Sequence, residues 1–242
     1  VRLKINIKAK EIPVAYRFGF LSMIKEAVTA SDPHYAKQLF DSQNREMKPF
    51  AYSTYLKNFR FEGDSIKVDS FTITISSSDL MFMTMLYNGL VHIRKYRYKT
   101  YEWERGRIEM LPEKNIQSSS VLFRTLSPLL IESADQQPLA PHDPGYEQEF
   151  NYYANLTVQR MLKRSLKKPL IVRPMQMKKV VIKENTHHIN GGNQVLYLTA
   201  YKGMIFVEGD PADLDCLYKN GCSKRRSAGF GLLDIEMEGM RT

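Results

Sequence analysis

The chain has 242 residues, 43% of them hydrophobic and 25% charged, enough to bury a sizeable core as one large domain or two small ones. Its 35 Lys and Arg against 26 Asp and Glu leave a formal net charge of +9, which favours RNA, DNA or an anionic membrane surface as partner. Cys216 and Cys222 lack zinc-like spacing and give no disulfide framework. No apolar run approaches the roughly 20 residues of a membrane span. Val1 to Ile7 alternates and carries charge where a signal peptide would be apolar, so the expected compartment is the cytoplasm, with no membrane partner. The basic excess is shared: residues 1–117 carry 19 cations against 13 anions, and residues 118–242 carry 16 against 13.

Arg2 to Lys8 alternates with period two, the pattern of a half-buried strand. Phe18 to Val28 follows as a helix with Phe20, Leu21, Ile24 and Val28 on one side. Ser31-Asp32-Pro33 opens a second, short helix carrying His34, Tyr35, Lys37, Leu39 and Phe40. Lys48 to Tyr55 is extended and aromatic, and Phe59 to Phe61 and Ile66 to Ile75 form strands about a Glu62–Ser65 turn. Asp79 caps a helix through Leu80, Met81, Met83 and Leu86, which closes near Asn88-Gly89; Met81, Met83 and Met85 are core filling. Val91 to Trp103 is expected as a strand, with His92, Arg94, Tyr96 and Tyr98 on one face and Lys95, Arg97 and Lys99 on the other.

Ile116 to Ser120 connects the halves. Val121 to Pro128 is a strand stopped by proline, and a polar loop from Asp135 to Gly145 leads into the longest helix, Glu147 to Leu166. Leu170 to Lys183 and Val195 to Glu208 are strands joined across His187-His188-Ile189-Asn190-Gly191-Gly192, an exposed hairpin tip. Asp210-Pro211 caps a helix with Leu214, Leu217 and Tyr218 on one face; Asn220-Gly221 stops it, and Gly231 to Met237 closes the chain as a strand. Each half thus follows strand, helix, two strands, helix, strand, the β-α-β-β-α-β unit. The expected fold class is α+β, two tandem ferredoxin-like domains over residues 1–117 and 118–242.

Between that last helix and strand lies Asn220 to Ile235, with Lys224, Arg225 and Arg226 enclosed by Gly221, Ser223, Ser227, Gly229 and Gly231. Cations between glycines make an anion cradle to which backbone N–H groups can add. The helix-to-strand order is opposite to that of nucleotide-cofactor loops, whose phosphate sits on a helix N-terminus. No cofactor is expected.

Four stretches stand out together: Lys48-Pro49-Phe50-Ala51-Tyr52-Ser53, Phe123-Arg124-Thr125-Leu126-Ser127-Pro128, the Asn155-Leu156 helix, and the terminal loop with Gly221 and Gly229-Phe230-Gly231. In this order and spacing they resemble the CRISPR-associated endoribonucleases of the RAMP superfamily, which cut precursor CRISPR RNA within its repeats. The resemblance covers essentially the whole chain. It implies tandem ferredoxin-like domains and a repeat-RNA substrate. The implied reaction is a metal-independent cut by the upstream 2′-hydroxyl, leaving a 2′,3′-cyclic phosphate and a 5′-hydroxyl. Candidate partners beyond precursor crRNA are effector-complex subunits and a second copy of the chain. On this resemblance Lys224, Arg225 and Arg226 contact RNA phosphates, within a loop shaped by Gly221, Ser223, Ser227, Gly229 and Gly231. Arg124 faces the RNA groove or is a structural arginine.

That reaction needs a base for the 2′-OH proton, an acid for the leaving 5′-oxygen and a cation for the phosphorane. Many members carry a histidine after a leucine near the end of the second short helix; here that place is Leu39-Phe40-Asp41. Either His34, six residues earlier, serves from another angle, or the site works without histidine. Lys48 matches a lysine that members often place near the phosphate, and Lys25 stands where some carry a catalytic tyrosine. The alternatives are a non-catalytic repeat-RNA binder of the same family and a structural RNA-binding subunit of an effector complex.

Overall fold

The computed structural model describes residues 1–41, 43, 46–187 and 193–239. In the N-terminal half, β1 (Arg2–Lys8) and β2 (Glu11–Pro13) precede α1 (Arg17–Ser31) and α2 (Pro33–Phe40). Then come β3 (Ala51–Lys57), β4 (Arg60–Glu62), β5 (Ser65–Lys67), β6 (Ser70–Ser76), α3 (Leu80–His92), β7 (Lys95–Tyr98) and β8 (Tyr101–Leu111). The main sheet has the order β3-β6-β1-β8-β7, and β2, β5 and β4 form a small accessory sheet. Alternation along β1 sends Leu3, Ile5 and Ile7 into the core, against Phe20, Ile24, Phe71, Phe82 and Trp103. The Asp32 carboxylate accepts from the backbone N–H groups of His34 and Tyr35, and Asp79 accepts from that of Phe82, so both short helices start where the sequence places their caps.

The C-terminal half runs β9 (Ser120–Thr125), α4 (Tyr146–Leu162), β10 (Ile171–His187), β11 (Asn193–Glu208), α5 (Pro211–Asn220) and β12 (Leu233–Glu238). Its sheet order is β10-β11-β9-β12. Numbering the four core strands of either half by chain order gives 2-3-1-4 in both, so each half is a ferredoxin-like unit and the fold is a tandem pair. Phe150, Ala154, Leu214 and Leu217 pack α4 and α5 onto Val121, Phe123, Ile205 and Val207.

Besides small shifts of element ends, five expectations need correction. Ile66 to Ile75 is not one strand but parts of β5 and β6, which lie in different sheets. Met81, expected as core filling with Met83 and Met85, is exposed. Gly89 does not stop α3, which continues to His92: a Cβ at Gly89 would fall on the Ala27 carbonyl, so this glycine lets α1 and α3 cross closely. The segment expected as one strand from Val91 to Trp103 is the end of α3 and a β7–β8 hairpin turned at Lys99 and Thr100, where Lys99 takes φ 54°. The C-terminal hairpin is longer than its apolar pattern, reaching His187 and Asn193; His188 to Gly192, expected as its exposed tip, lie outside the described residues.

The two halves meet along a polar seam. Arg2 is 3% exposed; its guanidinium donates to the carbonyls of Tyr218 and Leu233, both at 2.9 Å. It also pairs with Asp234 at 3.3 Å and lies over the Tyr218 ring. The Ser76 hydroxyl donates to the Lys219 carbonyl at 2.7 Å, and Ser78 donates to Asn220 Oδ1 through its N–H and its hydroxyl. Breaking a buried charge network of this kind costs about 3–5 kcal/mol.

Candidate functional site

The terminal loop is built against the N-terminal half. Gly221, Gly229 and Gly231 all adopt positive φ, at 75°, 86° and 71°, where any other residue would be strained. They are also closely packed: a Cβ at Gly221 would meet Ala51 at 2.8 Å, and one at Gly229 would meet the Tyr52 ring at 2.9 Å. On the other side, Leu126 N–H donates to the Leu232 carbonyl at 2.8 Å, Gly231 N–H to Pro128 at 2.9 Å, and Leu232 N–H to the Ser127 hydroxyl at 2.9 Å. Three of the four stretches behind the family resemblance are therefore one contiguous structure. The fourth is local: Asn155 Oδ1 accepts from Leu166 N–H at 2.9 Å, fixing the exit from α4.

The three consecutive cations have three different fates. Arg225, in the left-handed region at φ 57°, is exposed. Lys224 is half-buried and paired with Glu132. Arg226 is 2% exposed; its guanidinium donates to the carbonyl of Asn220 and, at 3.2 Å, to that of Lys48. Burial lowers its pKa to about 10. The expectation of a uniform cationic cradle is corrected here: Arg226 is spent on backbone carbonyls of both halves and is not presented to a ligand. Ser223 likewise is buried, its hydroxyl accepting from Leu130 N–H at 2.8 Å and donating to the Leu130 carbonyl at 3.1 Å. Ser227 is half-buried on the short helical turn Arg226–Ala228. Arg124 is exposed and held by Asp234 at 3.4 Å and Glu236 at 3.6 Å, so two carboxylates already offset its charge.

Lys48 lies where Arg226 ties the loop to the segment before β3. Its Nζ is buried without a hydrogen-bond partner among the described residues, and burial lowers its pKa, with the nearby charges of Glu46 and Asp41 opposing and Arg160 reinforcing. Arg160 comes from α4 in the other half, donating to the Met47 carbonyl at 3.0 Å and pairing with Glu46 at 3.1 Å. Tyr35 on α2 is half-buried, its hydroxyl pushed up to about 12 by burial and then by Asp79. An orphaned ammonium beside a second cation, the latter held by the Met47 carbonyl and the Glu46 carboxylate at a seam, is suited to an oxyanion that develops negative charge.

The other two candidate catalysts are not brought to Lys48. His34 is exposed in the first turn of α2, about 9 Å along the helix axis from the level of Phe40. Phe40 packs against the N-terminal core, and Asp41 follows it at the Lys48 end of the helix. Lys25 is exposed on α1. Sequence reasoning missed Arg160, because a basic residue on the polar face of α4 carries no local signal of a partner more than 100 residues away. It also missed Arg17 and Glu184, which face each other across the seam at 3.8 Å.

With that geometry in hand, comparison with known proteins is decisive for the family. The family described as CRISPR associated protein Cas6, C-terminal, matches residues 111–235, just over half of the chain. No curated protein sequence matches significantly. Among solved structures, one described as the characterization of a Cas6-related gene from Pyrococcus furiosus superposes with a TM-score of 0.81 at 18% identity, over 98% of this chain and 99% of that one. Another, a RAMP protein binding different RNA substrates, gives 0.79 at 17% identity over the same shares. A third, described as CRISPR associated protein Cas6, gives 0.72 at 18% over 98% and 99%. Identities this low speak for the fold, and the family match speaks for descent: the chain belongs to the Cas6 family of CRISPR-associated proteins.

Proposed function

We propose that this protein binds CRISPR repeat RNA and cleaves precursor crRNA within the repeat. The observation that carries the reading is the buried Lys48 ammonium, without a hydrogen-bond partner among the described residues, beside Arg160 at the junction of the terminal loop and the segment before β3. In the proposed reaction the upstream 2′-oxygen attacks the adjacent phosphorus as its proton leaves to a base. The phosphorus–5′-oxygen bond breaks, and the 5′-oxygen takes up a proton, giving 2′,3′-cyclic phosphate and 5′-hydroxyl ends. Lys48 and Arg160 offset the charge of the phosphorane. No metal is required by this route. Arg225 holds a neighbouring phosphate, with Lys224 contributing when Glu132 releases it. His34 and Lys25, both exposed, are the remaining candidates for the proton transfers. Residues 1–117 and 118–242 form the two lobes between which the RNA is held.

The placement of Phe40 and His34 favours a second reading, repeat-RNA binding without cleavage, because among the described residues no histidine hydrogen-bonds Lys48. Incubation with repeat RNA in excess EDTA, followed by mapping of the cut and chemical typing of its ends, separates the two. Cleavage with cyclic phosphate ends is expected; RNA that stays intact while tightly bound overturns the enzyme reading and leaves the binder. If cleavage occurs, His34→Ala with an unchanged single-turnover rate removes His34 from the mechanism.

A further inference from the structure

A second group of charges at the seam lies apart from Lys48 and Arg160 and shares only Arg225 with the site above. Arg17 opens α1, with its guanidinium 5.2 Å from the ring centroids of both Tyr16 and Phe230. Its side chain is 12% exposed, and among the described residues no group accepts a hydrogen bond from it. Facing it at 3.8 Å is Glu184, near the far end of β10. Glu184 is 3% exposed, and neither carboxylate oxygen has a hydrogen-bond partner among the described residues. Arg225 of the terminal loop acts on the same carboxylate. Tyr52 on β3, whose hydroxyl donates to the Arg17 carbonyl at 3.0 Å, and Tyr98 on β7 feel its charge. Lys183, next in the strand, turns to the opposite face and pairs with Asp64 at 2.9 Å.

As an ion pair this arrangement is poor. The contact is too long for a hydrogen bond, so the desolvation of the carboxylate is not repaid. Burial accordingly pushes Glu184 up to about 7, with Arg17 and then Arg225 opposing. Arg17 stands 3.8 Å from the anionic oxygen pair with donors to spare, and the exposed Arg225 is close enough to act on the same charge; two guanidiniums that converge on one anion suit a phosphodiester.

We propose that Arg17 and Arg225 form a binding site for an RNA phosphodiester, and that the Glu184 carboxylate fills this site as a gate in the free protein. The proposal rests on the RNA-binding reading above and adds to it. A phosphate and the Glu184 carboxylate compete for the same two guanidiniums, so whatever removes the charge of Glu184 strengthens RNA binding. Protonation does this as the pH falls, and Glu184→Gln does it at every pH with nearly the same shape.

The test is fluorescence anisotropy of labelled single-stranded repeat RNA on the full chain at about pH 6 and about pH 8, at fixed salt. At the higher pH, Glu184→Gln is expected to bind about five- to tenfold tighter than wild type. At the lower pH the two converge. Histidines shared by both proteins cancel in that comparison. Adding Arg17→Gln to Glu184→Gln abolishes the gain. Glu184→Ala serves as a second variant if thermal melting shows that Glu184→Gln is not folded. Wild-type affinity in a folded Glu184 variant at the higher pH overturns the gate, as does a gain that survives loss of Arg17. A wild-type protein that binds no RNA at either pH overturns the functional reading itself.

Discussion

At the scale of single residues, the seam keeps two buried charges in poor surroundings, and their signs predict opposite responses. The Lys48 ammonium has no hydrogen-bond partner among the described residues, so truncation removes a desolvation cost together with a cation. Lys48→Met is expected to leave the melting temperature unchanged or raised, while lowering single-turnover cleavage by about 100-fold or more. A loss of stability together with an unchanged rate would show that Lys48 is merely packed. Glu184 is an acid whose folded pKa is raised, to about 7 from the usual 4.5. Its favourable state is the protonated one, so its contribution is intact below the unfolded pKa and is lost as pH rises through the folded one. Between about pH 5 and about pH 8 this group alone can cost up to about 3 kcal/mol. Urea unfolding of wild type against Glu184→Gln across that window is expected to show a gap that opens with rising pH. A constant gap would mean that Glu184 does not titrate there.

Among the elements, legibility followed from locality. Alternation in β1 and the caps at Asp32 and Asp79 are visible because the residues that decide them are neighbours in sequence. Gly89 was misread for the opposite reason. Its role is set by Ala27 on another helix, and a glycine near a helix end looks like a stop unless the crossing is known. The β10–β11 hairpin outran its apolar pattern because the backbone ladder continues from Glu184↔Leu196 to His187↔Asn193, and backbone pairing leaves no trace in side-chain hydropathy. These readings carry a consequence for α1 and α3. Gly89→Ala, which would be stabilising in an isolated helix, should here destabilise the protein by about 3 kcal/mol, since its Cβ overlaps backbone that cannot withdraw. Thermal or urea unfolding decides it, and a melting temperature at or above wild type would show that the crossing has slack.

At the scale of the whole molecule, the terminal loop is both a fastener between halves and a surface toward RNA, and the division falls between adjacent residues. The sequence shows three like cations between glycines; the side chains on either side of the left-handed turn at Arg225 are sent to different places only once β3 and the loop are packed together. Arg226 joins Asn220 in one half to Lys48 in the other from a buried position, while Arg225 stands in solvent. Arg226→Met, which strands two carbonyls, is expected to cost about 3 kcal/mol and to broaden the unfolding transition as the halves lose their coupling. At about pH 6, where Glu184 is mostly protonated and has little charge for Arg225 to offset, Arg225→Met should leave unfolding as it is. It should weaken RNA binding and reduce the slope of log affinity against log salt by about one phosphate's worth. The two measurements made on both variants form a cross. If Arg226→Met instead lost RNA affinity at full stability, its guanidinium would have to be available to phosphate, and the buried position assigned to it would be wrong. If Arg225→Met changed unfolding but not the salt slope, the exposed cation of the loop would belong to the seam rather than to the RNA.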